Sequence, residues 1–333
     1  MPRRPEGQID VLVASLGTTG GWRAAAAELA ASLERVGATV AVVAPDPVRD
    51  VRTLALTDFV QARAVRAAAA AGIERHRPRA IIYCSVTGSL LWPAPGAVWL
   101  DAVAAENRPG RHGVWQRGVE RRRLRQAPLV MAMSERSLRP LGALHAPVMT
   151  VPSPVEPSSG PAPAQRDIAA VMYAGDPLKK RLDVVLAAWR RAHRGDEQLV
   201  VTGTGALEPT EGVTLAGRLA PADYRALLRR ARVFVAAPRR EDYGIAPLEA
   251  LADGCLLVTT PAPGPYPALG LARQLDPRLV SDDLVTALRT ALDSPRPGYG
   301  ERAAALLTPF RRAAVDRTIA DDVLPLLLPG CSP

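Results

Sequence analysis

The sequence predicts an α/β protein built on two doubly wound parallel sheets. Three observations carry this. Apolar, strand-like runs alternate with helical stretches; the alternation stops at a proline-rich segment and then restarts; and 333 residues suffice for two cores.

In the first half, an apolar run at residues 9–15 ends in the Gly-Thr-Thr-Gly-Gly of residues 17–21. Helical spacing follows over 22–35. A strand at 39–43 stops at Pro45 and Pro47. A helix over 58–77 leads to strands at 80–84 and 97–100. A basic helix at 113–126, a strand at 129–133, a helix at 134–141 and a strand at 148–151 complete the half. Residues 152–164 are too dense in Pro and Gly for a helix or central strand, and read as a linker. The second half has strands at 168–173, 198–202, 213–216, 233–237 and 256–260. Helices are expected at 180–192, 221–230, 245–252, 282–292 and in the tail 301–327. The expected domains are therefore 1–152 and 168–300, joined by a 153–167 linker. A helical tail, 301–333, packs back on the first domain. Ligands of such sheets bind at the carboxyl ends of strands, here in a cleft between the domains.

Composition narrows the function. The formal charge is +9, which suits anionic partners. Arginine is spread along the chain, aromatics make up 4% and do not interleave with basic residues, so nucleic acid is not the expected partner. The alanine-rich run 67–71 sits in an arginine-punctuated helix and cannot span a bilayer. The N-terminal residues show no signal-peptide core, and Cys84, Cys255 and Cys331 form no CxxC, so a cytoplasmic protein is expected. His76, His112, His145 and His193 lack metal-ligand spacing.

The densest chemistry follows the 233–237 strand. A polar loop carries Glu241, and Gly244 lets a ligand approach the backbone. A helix opens near Ile245, its free N–H groups forming an anion site. Glu249, separated from Glu241 by seven residues, is placed in the first turn. There a carboxylate can accept two hydrogen bonds from a vicinal diol. A second loop, after the 168–173 strand, brings Lys179, Lys180 and Arg181 to a helix start. Both lysines of the chain fall here, and positive charge suits a diphosphate leaving group. In the first half, Gly20 and Gly21 follow the first strand, and Asp101 ends the 97–100 strand. Gly203 and Gly205 do not form a dinucleotide fingerprint, and no GxGxxG opens a first helix, so a nicotinamide oxidoreductase is the least expected reading.

The 232–255 segment resembles the glutamate-x7-glutamate signature of retaining glycosyltransferases of the GT-B fold, the GT4-like (glycosyl transferases group 1) family. The resemblance covers nearly all of the second half by motif and the first half by architecture. It implies two Rossmann-like domains. Glu241 would contact the donor sugar and Glu249 the ribose hydroxyls. The backbone of Tyr243, Gly244, Ile245 and Ala246 would meet the diphosphate. Gly217, Arg218 and Leu219 would lie beside the base, and Gly20 and Gly21 would form the glycine loop. Lys180 matches the family lysine. The preceding family arginine is Asp176 here, so Lys179 or Arg181 would supply its charge. Relatives often place a histidine where Asp101 stands; Asp101 either orients an acceptor hydroxyl or caps a turn. The catalytic set expected is Lys180, Glu241 and Asp101. The reaction expected is metal- and cofactor-independent transfer from a nucleotide sugar to a hydroxyl acceptor. In the family the leaving phosphate deprotonates the acceptor. The arginine-rich helix, with Arg117 and Arg125, is either a solvated face or a peripheral contact with anionic lipid. Competing readings are a non-catalytic sugar-nucleotide-binding protein, or an epimerase or phosphorylase on the same scaffold.

Overall fold

The structure is a computed structural model that describes residues 7–17, 20–46, 51, 53–160, 165–205 and 210–329, the side chains of Leu54 and His112 excepted. Two compact units are present. Unit 1 is Met1–Pro154 with Arg312–Pro333, and unit 2 is Val155–Arg311.

Unit 1 holds strands β1 (Val11–Ala14), β2 (Val40–Val43), β3 (Ala80–Cys84), β4 (Ala97–Leu100), β5 (Val130–Ala132) and β6 (Val148–Thr150). All pair in parallel, in the order β2-β1-β3-β4-β5-β6. The helices between them are α1 (Gly20–Arg35), α2 (Leu54–His76), the short α3 (Val86–Ser89) and α4 (Ala104–Asn107), α5 (Val114–Gln126) and α6 (Glu135–Leu138). Strands covered on both faces read as unbroken apolar runs, which is why Ala-Val-Trp-Leu of β4 is wholly buried. The Thr53 side chain caps α2 by accepting the N–H of Leu56, and Arg77, in the left-handed region, ends it.

Unit 2 holds β7 (Ile168–Tyr173), β8 (Leu199–Thr202), β9 (Val213–Gly217), β10 (Ala231–Ala236) and β11 (Leu256–Thr259), all parallel, in the order β11-β10-β7-β8-β9. Its helices are α7 (Pro177–Lys180), α8 (Leu182–Ala192), α9 (Pro221–Arg230), α10 (Ile245–Ala252), α11 (Pro267–Leu275), α12 (Leu284–Asp293) and α13 (Tyr299–Leu306). Val171, Val201, Val233, Val235 and Leu257 are fully buried at the sheet's centre.

The chain then returns to unit 1 as α14 (Arg312–Thr318), a π-helical turn Ile319–Val323 and α15 (Leu324–Leu327). Val315, Ile319 and Val323 are buried. Arg35 of α1 pairs with Asp316 at 2.7 Å, and Arg312 pairs with Glu28 of α1 at 2.9 Å.

Three expectations are corrected. The helix expected over 180–192 is two helices, because Asp176 and Pro177 start one turn early and Arg181, at φ 52°, breaks it. Helix α11 was not expected; Pro267 starts it from within a Pro- and Gly-rich stretch. The stretch read as a linker is tied to unit 2 up to Gly160. Asp253 accepts from Ser158 N and Oγ at 2.7 and 2.9 Å, and Arg225 donates to the Glu156 carbonyl at 2.7 Å. Proline removes donors from this segment, and side chains of unit 2 supply its hydrogen bonds instead. Residues 161–164 of that stretch, and Cys331, lie outside the described residues.

Candidate active site

Strand order reverses between β7 and β10 in unit 2, and at such a switch point the two following loops diverge and leave a crevice. The sequence puts its chemistry on those two loops. They are laced together: Arg239 donates through its backbone N–H to the Lys179 carbonyl at 2.9 Å and through Nε to the Leu178 carbonyl at 3.1 Å.

On the β7 loop the Asp176 carboxylate accepts the backbone N–H of Lys179 at 3.0 Å, capping α7. It is a backbone cap, and its carboxylate is not paired with the Lys179 or Arg181 side chain. Neither of those side chains makes an ion pair with any described residue. The one-turn helix carries Lys180 to the β10 loop, where Nζ donates to Glu241 Oε2. Glu241 is 6% exposed. Its backbone N–H donates to the Pro263 carbonyl at 3.0 Å. A cavity of about 10 Å³ bounded by Tyr173, Lys180, Phe234, Glu241 and Pro247 remains beside the pair. That is room for about one water.

Gly244 sits at φ 74°, the left-handed region, and opens α10 with no side chain capping the helix. A Cβ there would stand 2.8 Å from Glu241 Cγ and 3.1 Å from the Tyr266 ring. Tyr266 is a site residue that sequence reasoning missed. Fully buried, at φ 29°, it backs the Glu241–Gly244 turn and shares a hydrogen bond of 3.1 Å with Thr259. Burial pushes its phenol well above the usual range. Tyr243 and Ala246 are buried and Ile245 is half-buried, so the turn presents mainly backbone.

Glu249 lies in the second turn of α10, not the first, because the helix begins at Ile245 and its first turn holds no acid. The helix dipole therefore does little for it. Its partner is Arg225 of α9, at 3.6 Å, which also donates to Asp253 at 2.7 Å. Burial raises the Glu249 carboxyl to about 7; Arg225 pulls it down and Asp253 pushes it up. Beside it the buried Tyr224 hydroxyl has no hydrogen-bond partner among the described residues. Arg225 and Tyr224 were also missed. The available signal was Glu249 and Asp253 four residues apart on one helix, a repulsion that demands a cation.

Gly217 ends β9 at φ 68°, and its carbonyl accepts from Gly203 N at 2.7 Å and Thr202 Oγ1 at 2.8 Å. Arg218 is exposed and Leu219 half-buried. Gly217 is the last residue of the edge strand, two strands from β7, and Arg218 and Leu219 follow it.

Unit 1 has its own switch point between β1 and β3. Gly20 and Gly21 form the first turn of α1 beyond β1. Neither has a positive φ, and a Cβ on either would meet nothing within 4 Å. The fold does not demand glycine there; the turn is simply left bare. Asp101 follows β4, and its Oδ1 accepts the N–H of Ala102 at 2.8 Å, a turn cap. Among the described residues no three His, Cys, Asp or Glu are grouped to hold a metal ion, and no helix is long and apolar enough to cross a membrane.

Two all-parallel sheets of this order, one in each unit, are those of the GT-B fold. Residues 168–294 match the family described as Glycosyl transferases group 1, and unit 2 carries that domain. A comparison with curated protein sequences finds no match. Among solved structures, the chain is similar to sucrose-phosphate synthase from Thermosynechococcus elongatus (TM-score 0.65, 17% identity, covering 94% of this chain and 97% of that one). It is similar to WaaG, a glycosyltransferase involved in lipopolysaccharide biosynthesis (0.68, 14%, 97% and 100%). It is also similar to α,α-trehalose 6-phosphate synthase from Burkholderia multivorans (0.64, 13%, 95% and 98%). At these identities the likeness is one of fold.

Proposed function

We propose that the chain is a retaining, GT4-like glycosyltransferase that takes its sugar from a nucleoside-diphosphate sugar, without a metal, and gives it to a hydroxyl acceptor. The observation that carries the reading is the Lys180–Glu241 pair beside the uncapped α10 start at the β7/β10 switch point. In this reading the diphosphate lies on the Ile245 and Ala246 end of α10, with Lys180 against its oxygens and Lys179 and Arg181 adding charge. Glu241 holds sugar hydroxyls, Glu249 accepts from the ribose diol, and Gly217, Arg218 and Leu219 flank the base. On unit 1, Gly20 and Gly21 let the donor phosphates or the acceptor approach the backbone, and Asp101 orients an acceptor hydroxyl. The bond between the anomeric carbon and the β-phosphate oxygen breaks, and the acceptor oxygen bonds to that carbon from the same face. The acceptor's proton passes to the departing diphosphate oxygen.

The reading includes a cytoplasmic site of action, supported by the buried free thiols Cys84 and Cys255. It also includes peripheral contact with anionic lipid at the start of α5, where Val114 is 58% exposed. Co-sedimentation with phosphatidylglycerol vesicles checks that contact. The function itself is tested with a panel of nucleoside diphosphates and their sugars, read by thermal shift and then by donor turnover. One base should stabilise the protein, and its sugar should be hydrolysed slowly with inversion or retention read at the anomeric carbon. Stabilisation by none of the panel, or release of an inverted sugar, ends the proposal.

A further inference from the structure

Outside the site just described, unit 1 contains a cavity of about 260 Å³ between α5, the residues leading into α4 and the chain that follows α6. Val103, Leu124 and Leu141 form apolar walls, and Glu120, Arg121 and Arg125 supply the charge.

Glu120 is 4% exposed. Its Oε2 accepts the backbone N–H of Ala104 at 2.7 Å. Its Oε1 has no hydrogen-bond partner among the described residues, yet is not sealed from solvent. A carboxyl buried this deeply with one oxygen unpartnered is costly unless something polar meets it. Burial raises this carboxyl to about 7, with Arg121 and Arg108 pulling the other way, so near neutrality it can both donate and accept.

Arg121 and Arg125 are one helical turn apart and both exposed, and neither makes a hydrogen bond or ion pair with any described residue. Two nearby arginines are held in the fold instead. Arg117 donates to the Arg108 carbonyl. Arg123 donates to the Leu90 carbonyl at 3.0 Å and lies over the Trp92 ring at 5.0 Å. Arg122 is exposed and likewise makes no hydrogen bond or ion pair with any described residue, but it does not line the cavity; Arg121 and Arg125 do. One guanidinium satisfies a carboxylate; two match a phosphate monoester, with its charge near −2 and three acceptor oxygens. At about 30 Å³ per water, the cavity has the room of about nine waters, the scale of a small sugar or polyol phosphate.

We propose that this cavity binds a small organic phosphate monoester bearing hydroxyl groups, its phosphate on Arg121 and Arg125 and a hydroxyl on Glu120. The site lies wholly within unit 1, whereas Lys180, Glu241 and Glu249 belong to unit 2. It needs neither the donor nor the transfer reaction.

The test is calorimetric titration of the full chain with glucose 6-phosphate, glycerol 3-phosphate and inorganic phosphate. Both arginines are exposed, so the R121A/R125A variant should fold normally. Saturable binding is expected in the unsubstituted protein, at least tenfold weaker in R121A/R125A. At least one of the two hydroxyl-bearing esters should bind more tightly than inorganic phosphate. Four results overturn the proposal. They are no saturable binding, equal binding by R121A/R125A, no ester preferred over inorganic phosphate, and a response confined to phosphatidylglycerol vesicles. Binding lost in Lys180→Ala but kept in R121A/R125A would place the phosphate on unit 2 and overturn it equally.

Discussion

Lys180 and Glu241 are each other's partner in the ligand-free site, and this decides how their substitutions behave. A positioned ammonium strengthens as negative charge grows on the leaving diphosphate, so Lys180→Ala should lower kcat by about a hundredfold or more. It also leaves Glu241 buried without its cation, so the melting temperature should fall as well. Steady-state kinetics well below that temperature separate the two effects; an unchanged kcat would remove Lys180 from the mechanism. Glu249 gives a pH signature. Its carboxyl titrates near 7, and only the ionised form accepts two hydroxyl hydrogens. Nucleotide affinity should rise as pH increases from about 6 to 8, and Glu249→Gln should bind more weakly and without that slope. Calorimetry at several pH values reads both. The loops that carry Glu241 and Lys180 were legible in the sequence because loop, glycine and helix start carry local signatures, whereas Glu249 was placed one turn too early. Arg225 was not legible, because in a chain this rich in arginine nothing local says which one a helix nine-tenths apolar will meet across α9.

The strands were readable because parallel strands buried on both faces leave continuous apolar runs, as in β3, β4 and β7. Most of the longer helices were readable; the short α3 and α4 and the Pro-started α11 were not, nor was the break that a single residue makes. Arg181 in the left-handed region splits α7 from α8, and periodicity alone runs through it. The α7 turn depends on its cap: Asp176→Ala should cost about 1 kcal/mol, and Asp176→Asn much less, measured by denaturant unfolding. Loosening that turn also loosens Lys180, so activity should fall with Asp176→Ala more than with Asp176→Asn. On α5, Glu120 provides a stability test. Its folded carboxyl titrates near 7, above its unfolded value of 4.5. The stabilisation from keeping it protonated is complete below about 4.5 and is lost as pH rises through about 7. Glu120→Gln should therefore lessen the drop in unit 1 stability between pH 5 and 8; a drop of unchanged size would mean that other groups cause it.

At the scale of the whole molecule, unit 1 is completed by residues that lie beyond unit 2 in sequence. Truncation after Arg311 removes Val315, Ile319 and Val323 from the core and Asp316 from Arg35. Each large buried apolar side chain contributes about 1.5–3 kcal/mol. The truncated protein should show unit 1 melting at least several degrees lower, or not folding, in calorimetric scans. A scan matching that of the full chain would mean that the tail is dispensable. The sequence suggested a helical tail packing back on the first domain; it offered no way to see which helix α14 would meet there, since charges such as Glu28 and Asp316 have many equivalent partners.

The two ends of unit 2 are hydrogen-bonded to each other: Val155 donates to the Phe310 carbonyl at 2.8 Å, and Arg311 donates to the Val155 carbonyl at 3.1 Å. Unit 2 is thus a contiguous insertion that closes on its own stem, while unit 1 is assembled from two distant pieces. On a ribosome that releases the chain from the N-terminus, the sheet of unit 1 emerges first yet waits for its last helices until all of unit 2 has been made. The later-made unit has every residue it needs as soon as Arg311 appears. The order of completion should therefore run against the order of synthesis, with the first-born sheet finishing last and exposing the α1 surface to chaperones in the interval.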